Sequence, residues 1–436
     1  MKTHIVAGRC VALAFLLCAA TAARAQLVIS KKPTSNVTCA AGVCSATAPQ
    51  AVLNEKDMKK LLQKGDLEVA GGAANSIQIV TKVSWVRDTR LTLSADAVFV
   101  AARVRVIVGS LTVTTPDFHG GANLGFSKDG NITFFNVNNP FIINGVTYKL
   151  EPGLSDLFDD IASNGNNGAY ALIDNADAST FGTFSSSPIG DFSGNIEGLG
   201  HTIDNLHINN TSGDTYVGFI GRLEGGHTVR NLSLNQVDIQ ASGTGGGSCV
   251  SALVGDNLGS VGNSYVSGTV SASQALDTGG AVACDFGTIF GVSANVATTG
   301  NTVGGLVGLE QGTLIDSMAS GPVTAQSGPN LPSGGGLIGN AGPCTVQSSY
   351  SSGKVTSTNN LGGLAGQAFE CTFTDVYWDT DTSGASKGCV GSCDGAVGLT
   401  TKQLRSGLPA GFDAATWAES KKIESGLPYL LAATPR

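Results

Sequence analysis

The chain is short of charge, aromatic residues and proline. Charged residues make up 13% of its 436 residues, about half the usual share, aromatic residues 6%, and there are only 13 prolines. Beyond residue 25 no stretch is long and apolar enough to span a membrane as a helix. A disordered low-complexity chain is the simplest alternative. The regular spacing of Val, Ile and Leu and the positive mean hydropathy of +0.14 argue against it.

Glycine is the residue in excess. There are 60 glycines, about twice the usual share, and Ser, Thr, Asn and Val replace the missing charged residues. This composition favours many short strands joined by tight turns, with an uncharged polar surface.

The first 25 residues resemble a secretory signal peptide. A basic start with Lys2 and Arg9 precedes an apolar run, and Ala23-Arg24-Ala25 is a small-x-small cleavage site. Removing this segment, which has three cations and no acid, takes the formal net charge from −8 to −11. An acidic surface repels phosphate backbones, so nucleic acid is not expected as a partner.

Eight cysteines remain after the signal peptide, an even number that suggests disulfides in an exported chain. Spacing alone allows 105 pairings. We expect neighbours to pair, whereas a zinc site would need CxxC spacings that the sequence lacks. The expected disulfides are Cys39–Cys44, Cys249–Cys284, Cys344–Cys371 and Cys389–Cys393.

A short phrase of the type Gly-Leu-Val-Gly occurs four times. The phrases close on Gly255, Gly308, Gly339 and Gly366, and Tyr265, Tyr350 and Tyr377 follow three of them at ten or eleven residues. Repetition at this scale indicates a solenoid whose repeats bury apolar residues against their neighbours. We expect the tyrosines to stack at one angular position with their hydroxyls near the surface, where a glycan-binding stripe is the alternative. The 53-residue interval between Gly255 and Gly308 is expected to hold an extra coil or a protruding loop.

Two segments predict short helices. Asn54-Glu-Lys-Asp57 has the composition of a helix start with Met58 and Leu62 on one face, and Leu154, Leu157 and Ile161 have helical spacing. Between these helices, from residue 66 to 115, apolar residues alternate with a period of two, which predicts strands.

No motif indicates a catalytic or metal site. His201, His207 and His227 could meet on adjacent coils, but a structural role is the better interpretation. Asp379-x-Asp381-x-Ser383 begins like a calcium loop, but Val390 stands where an EF-hand needs Glu. We therefore expect no catalytic residue, cofactor or metal. A β-solenoid enzyme would need converging carboxylates, and five candidates look scattered along the chain: Asp204, Asp214, Asp238, Asp256 and Asp316.

The repeats resemble a known family. The segment from Ala252 to Val270 resembles the GLUG motif of bacterial exported proteins, and Gly198 to Ile208 resembles the lead-in to such motifs. Residues 83–95 resemble a stretch of filamentous-haemagglutinin-like adhesins. The resemblance implies an all-β right-handed parallel β-helix, exported to the cell surface or medium, and it carries no catalytic residues.

This resemblance divides the chain as follows: signal peptide 1–25, N-terminal arm and cap helix 26–65, haemagglutinin-like coils 66–148, helical insertion 149–195, GLUG-repeat β-helix 196–378 and C-terminal cap 379–436. The expected function is adhesin-like binding, in which a rigid solenoid presents a polar face and the 256–301 loop to a glycan or a host or matrix protein. The alternatives are a carbohydrate-active β-helix enzyme, a lyase or hydrolase, and a self-associating structural component of an envelope or matrix. The periplasm is the alternative location.

Overall fold

The computed structural model describes residues 25–121, 123–242, 248–273, 277–327 and 331–435. The signal-peptide prediction therefore lies almost wholly outside the described residues. The protein is mostly β, with 50% strand and 8% helix, as the composition predicts. The described residues contain three α-helices, which are α1 (Glu55–Leu62), α2 (Leu154–Ser163) and α3 (Thr401–Leu404).

Residues 26 to 143, here called the first region, form three ladders of mostly parallel strands. Ladder 1 contains, in order of pairing, Gln50–Asn54, Gln26–Ser30, Ser76–Ile79, Ala97–Val100 and Leu124–Phe126. Ladder 2 contains Val83–Trp85, Val104–Val106 and Ile132–Phe134. Ladder 3 contains Val37–Ala40, Val43–Ala46, Leu67–Ala70, Arg90–Ser94, Ser110–Thr114 and Phe141–Ile143.

Residues 26–50 are not the arm that the sequence suggested. Gln26–Ser30 lies inside ladder 1, between Gln50–Asn54 and Ser76–Ile79. Leu27 and Ile29 are fully buried, because the short alternation Leu-Val-Ile is enough for one strand once its neighbours supply the rest of the core. The predicted helix α1 is confirmed, with Asn54 as its N-cap and Met58 and Leu62 buried.

An antiparallel hairpin joins the two regions. Phe141–Ile143 pairs antiparallel with Val146–Glu151 through the turn residues Asn144 and Gly145, whose φ angles are 49° and 81°. Positive φ at both central positions is typical of the tight two-residue turn that Asn-Gly forms. The second half of Val146–Glu151 then starts a new parallel ladder.

Residues 146 to 435, the second region, add four ladders. Ladder 4 contains Val146–Glu151, Asn167–Leu172, Ile189–Glu197, Thr228–Arg230, Ser260–Gly262, Thr288–Phe290, Thr313–Ile315, Cys344–Gln347 and Cys371–Thr374. Ladder 5 contains Ala176–Asp177, Thr183–Phe184, Thr202–Asp204, His207–Asn210, Ser233–Ala241, Tyr265–Ala272, Ser293–Gly300, Met318–Ala319, Val323–Ala325, Tyr350–Ser351, Val355–Thr356, Val376–Asp379 and Ala396–Leu399.

Ladder 6 contains Ile189–Glu197, Ile220–Leu223, Val254–Asn257, Val282–Asp285, Val307–Glu310, Ile338–Ala341, Ala365–Ala368 and Val390–Gly391. Ladder 7 contains Tyr216–Val217, Cys249–Val250, Asp277–Gly279, Thr302–Gly304, Ser333–Gly335 and Asn360–Gly362. A separate hairpin pairs Trp417–Glu419 with Pro428–Leu430. From residue 228 to 368 the chain visits ladders 4, 5, 7 and 6 repeatedly in that order.

The interval between Gly255 and Gly308 holds the extra coil that was one of its two expected contents, because Asp277–Gly279, Val282–Asp285 and Thr288–Phe290 add one more pass through the ladders. The expected 256–301 loop is therefore wrong for the described residues of this interval. The 149–195 segment is not wholly an insertion. Asn167–Leu172 and Ile189–Glu197 pair within ladder 4, and the short strands Ala176–Asp177 and Thr183–Phe184 pair within ladder 5, so α2 is the element that lies outside the ladders. The predicted helix α2 is confirmed, with Leu154, Leu157 and Ile161 buried.

Each region has its own apolar core. Leu, Ile, Val and Phe side chains of ladders 1 to 3 form the first core, and Leu150, Ala171, Ile173 and Leu199 of the second region complete it. The second core runs along ladders 4 to 7 from Leu154 to Cys389. The two cores therefore meet at the start of ladder 4.

Candidate functional site

A polar groove lies where the two regions meet. Its first part is a pocket of about 260 Å³ next to ladder 2, lined by Arg103, Arg105, Asn131, Thr133, Phe135, Asp174, Asn175 and His201. Its second part is a pocket of about 440 Å³ against ladder 5, lined by Asn175, Thr202, Asp204, Asn205, Asn235, Gln236, Tyr265, Ser267 and Pro435. Both pockets include Asn175, so they form one surface, called the polar groove below.

Asn175 is held in place at the junction of the two pockets. Its Oδ1 lies 3.1 Å from Nδ1 of His201 and accepts a hydrogen bond of 3.2 Å from the Thr202 backbone N–H. His201 is 2% exposed, and its Nε2 lies 2.9 Å from the backbone oxygen of Ile132 in the first region. The hydrogen bonds to His201 and Thr202 therefore fix the orientation of the Asn175 amide, as is required of a binding group in a preformed site.

The second part of the groove carries side-chain amides and the carboxylate of Asp204. Asp177, which does not line the groove, is the register partner of Asp204 on the neighbouring strand. Asn235 donates a 2.9 Å hydrogen bond to Asp204, and Asn205 donates one of 3.1 Å to Asp177. The Asn205 amide and the Ser179 hydroxyl and N–H lower the pKa of Asp177. The ordered side chains of this part of the groove can both donate hydrogen bonds to a ligand and accept them from it.

The predicted tyrosines share one ladder position but are not at the surface. Tyr265, Tyr350 and Tyr377 occupy one register line of ladder 5, in which Ser293 and Met318 separate the first from the other two. Tyr350 is fully buried, and its hydroxyl donates to the backbone oxygen of Pro428 at 2.6 Å. The expectation of hydroxyls near the surface is therefore wrong, since the chain after residue 400 folds back over this line and packs Phe412 and Trp417 against it.

The predicted glycines are required by close packing. Gly255, Gly308, Gly339 and Gly366 lie in four strands of ladder 6, in which Val282–Asp285 separates the strand of Gly255 from that of Gly308. A Cβ atom added to any of them would lie 2.6 to 2.7 Å from a backbone atom of a neighbouring strand. Real Cβ atoms essentially never approach so closely, so the repeated phrase marks where backbones touch.

The eight cysteines form the four neighbouring disulfides expected: Cys39–Cys44, Cys249–Cys284, Cys344–Cys371 and Cys389–Cys393. Cys344 and Cys371 are register partners in ladder 4, so this disulfide ties two stacked strands. Within the described ranges, one group of three potential metal ligands lies close together: Cys249, Asp277 and Cys284. Both of its sulfurs are in the disulfide, so it offers only a carboxylate.

The histidines and the calcium-like turn have structural contacts. His207 lies 3.7 Å from Asp238, and His201 joins the two regions as described. Asp379 is buried and accepts hydrogen bonds from Asp381 N–H at 2.9 Å and from the Thr401 hydroxyl at 2.7 Å. This aspartate-rich turn therefore anchors the start of α3.

The five scattered carboxylates do not converge on one site. Asp204 lines the polar groove, and Asp238 lies beside His207. Asp256 pairs with Arg222 at 3.4 Å, Asp214 accepts a hydrogen bond from Asn210, and Asp316 accepts one from Trp417 at 2.9 Å. The carboxylate that does sit beside Asp204 is Asp177, which the sequence did not single out.

The polar groove itself was missed from the sequence. Arg103 and Arg105 alternate with the buried Val104 and Val106, so period-two alternation could have placed them side by side on an outer face. Asn175 offers no such signal, because it lies outside the strands and meets ladder 2 only through His201.

No protein-family model and no curated protein matches this chain. The helices of the described residues are all too short or too polar to cross a bilayer.

Proposed function

We propose that this protein is an exported, adhesin-like binding protein whose ligand is a glycan held in the polar groove. The proposal includes the right-handed parallel β-helix architecture and the resemblance to GLUG-motif proteins of the bacterial surface. The repeated visits to ladders 4, 5, 7 and 6, with strands paired in parallel register, support this architecture. The four disulfides support export to an oxidising compartment.

The observation that carries the proposal is the polar groove. Its two pockets have the size of ligand sites and are lined by amides, hydroxyls, carboxylates and guanidinium groups around Asn175. Sugar hydroxyls both donate and accept hydrogen bonds, so a groove with both kinds of partner suits them. Of the tyrosine line only Tyr265 lines the groove, because the C-terminal segment packs over Tyr350 and Tyr377.

A glycan-binding screen of the purified full chain tests this proposal. We expect binding to at least one glycan class that Asn175→Ala and Gln236→Ala each weaken by tenfold or more. Asn359→Ala, an exposed amide outside the groove, is the matched control and should bind as the unaltered protein does. Equal binding by all four proteins would show that the groove is not the glycan site.

Protease shaving of intact cells tests the location separately. We expect the protein to be cleaved on intact cells or to accumulate in the medium. Protection until the outer membrane is opened would place it in the periplasm and contradict the adhesin role.

One observation favours the second candidate function, a carbohydrate-active enzyme. Asp177 and Asp204 are carboxylates on neighbouring strands, of which Asp204 lines the polar groove, and glycan hydrolysis uses such pairs. The enzyme would release new reducing ends from a bound glycan, and Asp177→Asn with Asp204→Asn would abolish that release without abolishing binding.

A further inference from the structure

The two regions carry opposite charge. The first region, residues 26–143, contains 12 Lys and Arg and 8 Asp and Glu, whereas the second, residues 146–435, contains 9 Lys and Arg and 25 Asp and Glu. A protein that is acidic overall therefore has a net positive first region. Such an asymmetry between parts of one chain indicates that the positive charge of the first region has a functional role, such as binding an acidic ligand.

Part of this positive charge lies on the outer face of ladder 2. In its strands the inward residues Val83, Trp85, Val104, Val106, Ile132 and Phe134 are buried. The residues between them point outward, and pairing places Ser84, Arg105 and Thr133 in one row. The next row is formed by the residues that precede these strands by one position, which are Lys82, Arg103 and Asn131. The six residues of the two rows are called the basic face below.

The cations of the basic face are available to a ligand. Lys82, Arg103 and Arg105 are exposed, and over the described residues none of them forms an ion pair with a carboxylate. The Arg105 guanidinium lies 4.5 Å from the ring centroid of Phe135, which is itself 52% exposed. Stacking on an aromatic ring orients a guanidinium while leaving its N–H groups free to donate.

The basic face opens into one end of the polar groove. The first pocket is lined by Arg103 and Arg105 and by one carboxylate, that of Asp174, whereas the second pocket beyond Asn175 has the carboxylate of Asp204 and no cation. The groove is therefore polarised, with an excess of cations at the ladder 2 end and a carboxylate without cations at the ladder 5 end. A uniformly neutral ligand gains nothing from the cations of this arrangement, whereas an acidic ligand gains from those of the basic face.

We propose that the ligand is a uronate-bearing polysaccharide whose carboxylate groups bind Arg103 and Arg105 on the basic face while its hydroxyl-rich part lies beyond Asn175. This inference rests on the proposed glycan-binding function. Arginine matches a carboxylate with two parallel N–H donors, and two arginines that point to the same side of one strand can take successive acidic sugars. Asn131 and Thr133, one strand away, are placed to bind the hydroxyls between them.

Binding of the full chain to polygalacturonate and to its fully methyl-esterified form tests the inference. Esterification removes the charge and keeps the sugar backbone. We expect the free acid to bind at least tenfold more tightly in low salt, with an affinity that falls steeply as salt rises. The double variant Arg103→Gln, Arg105→Gln should lose most of this preference and have a weaker salt dependence.

Lys421→Ala with Lys422→Ala is the matched control, because it removes two exposed positive charges far from ladder 2 along the chain. It should bind as the unaltered protein does. Thr133→Glu is a second test variant that adds a carboxylate in register with Arg105 without deleting either arginine, and it should also weaken binding of the free acid.

The outcomes separate this inference from the proposed function. Equal binding of the free acid and the ester, with Asn175→Ala still weakening both, would overturn the uronate inference and leave glycan binding standing. Binding of neither polymer, nor of any glycan in the screen, would overturn both. Tighter binding of dextran sulfate would overturn the choice of carboxylate, and tighter binding of single-stranded DNA would overturn the glycan class.

Discussion

At the scale of single residues, the least expected feature is a row of buried polar side chains in ladder 6. Asn257, Asp285 and Glu310 occupy successive positions of one register line, and all three have no exposed surface. Asn257 donates to Asp285 at 2.5 Å, and the N–H groups of Gly287 and Gly312 donate to Asp285 and Glu310. Each side chain thus closes the turn that follows its own strand.

Asp285 and Glu310 are neighbouring carboxyl groups that are both fully buried. They interact side by side, and the atoms Oδ2 of Asp285 and Oε2 of Glu310 have no other partner. Burial raises the pKa of Asp285 to about 7, and burial together with the neighbouring Asp285 raises the pKa of Glu310 well above its usual range. Two buried carboxyl groups in contact cannot both ionise without a large cost.

This pair predicts a pH dependence of stability that Asp285→Asn should reduce. The folded protein keeps a proton on Asp285 that the unfolded chain releases near pH 4, so the free energy of unfolding falls as pH rises above about 4, and the contribution of Asp285 to this fall ends above about pH 7. One proton accounts for a slope of at most about 1.4 kcal/mol per pH unit. Urea unfolding at pH 4.5 to 8.5 should show a smaller slope for Asp285→Asn, while the exposed control Asp129→Asn keeps the original slope.

At the scale of elements, the close contact of neighbouring strands depends on the repeated glycines. Gly339 lies in Ile338–Ala341, and an added Cβ would lie 2.6 Å from the backbone oxygen of Gly308 and 2.8 Å from the backbone nitrogen of Val303. Neither atom can move without displacing its ladder. A side chain at this position must therefore separate two strands.

Gly339→Ala is expected to lower the free energy of unfolding by about 2–3 kcal/mol, which is in the range of overpacked cores. Gly190→Ala is the control, because Gly190 also lies in a strand but an added Cβ there meets nothing within 4 Å. Denaturant unfolding of both variants measures the difference. If Gly339→Ala lowered the free energy of unfolding no more than Gly190→Ala does, close backbone contact would not explain why glycine repeats at this position.

Elements whose patterns are local were predictable from the sequence. Period-two alternation predicted the strands Arg90–Ser94 and Ser110–Thr114, and apolar residues at helical spacing predicted α1 and α2. The strand Gln26–Ser30 was missed because two buried residues are too few to define a period. The polar groove was missed because it depends on contacts between residues far apart in the chain, such as the 69 residues between Ile132 and His201.

At the scale of the whole molecule, the two regions are joined by contacts that no local pattern reveals. Phe118 and His119 of the first region accept hydrogen bonds from Arg230, 112 and 111 residues away, at 2.7 and 2.5 Å. Ser260 donates to the same His119 oxygen, and the Arg230 guanidinium lies 4.6 Å over the Phe290 ring. These contacts hold the two cores to each other beside the hairpin.

Arg230 also compensates a buried acid. It is the register partner of Glu197, both are nearly fully buried, and burial raises the pKa of Glu197 to about 7. Asn231 and the Leu199 N–H donate to the same carboxylate at 3.0 and 2.9 Å. Removing Arg230 would leave this acid with hydrogen bonds but without the opposite charge.

Arg230→Ala should therefore lower the stability by about 3 kcal/mol or more, because it removes two hydrogen bonds from a charged donor to the backbone oxygens of Phe118 and His119, at about 1.5–3 kcal/mol each. It should also separate the unfolding of the two regions, because the loss falls on the contacts between them. The tryptophans report this directly, since Trp85 lies in the first core and Trp417 packs on the tyrosine line of the second region. Fluorescence of variants that keep one of these two tryptophans should give coincident transitions in the unaltered background and separate ones with Arg230→Ala. Arg222→Ala is the control, because it removes the same charge from an ion pair within the second region. It should leave the two transitions coincident. Separate transitions in this control too would mean that the two regions are only weakly coupled in the unaltered protein.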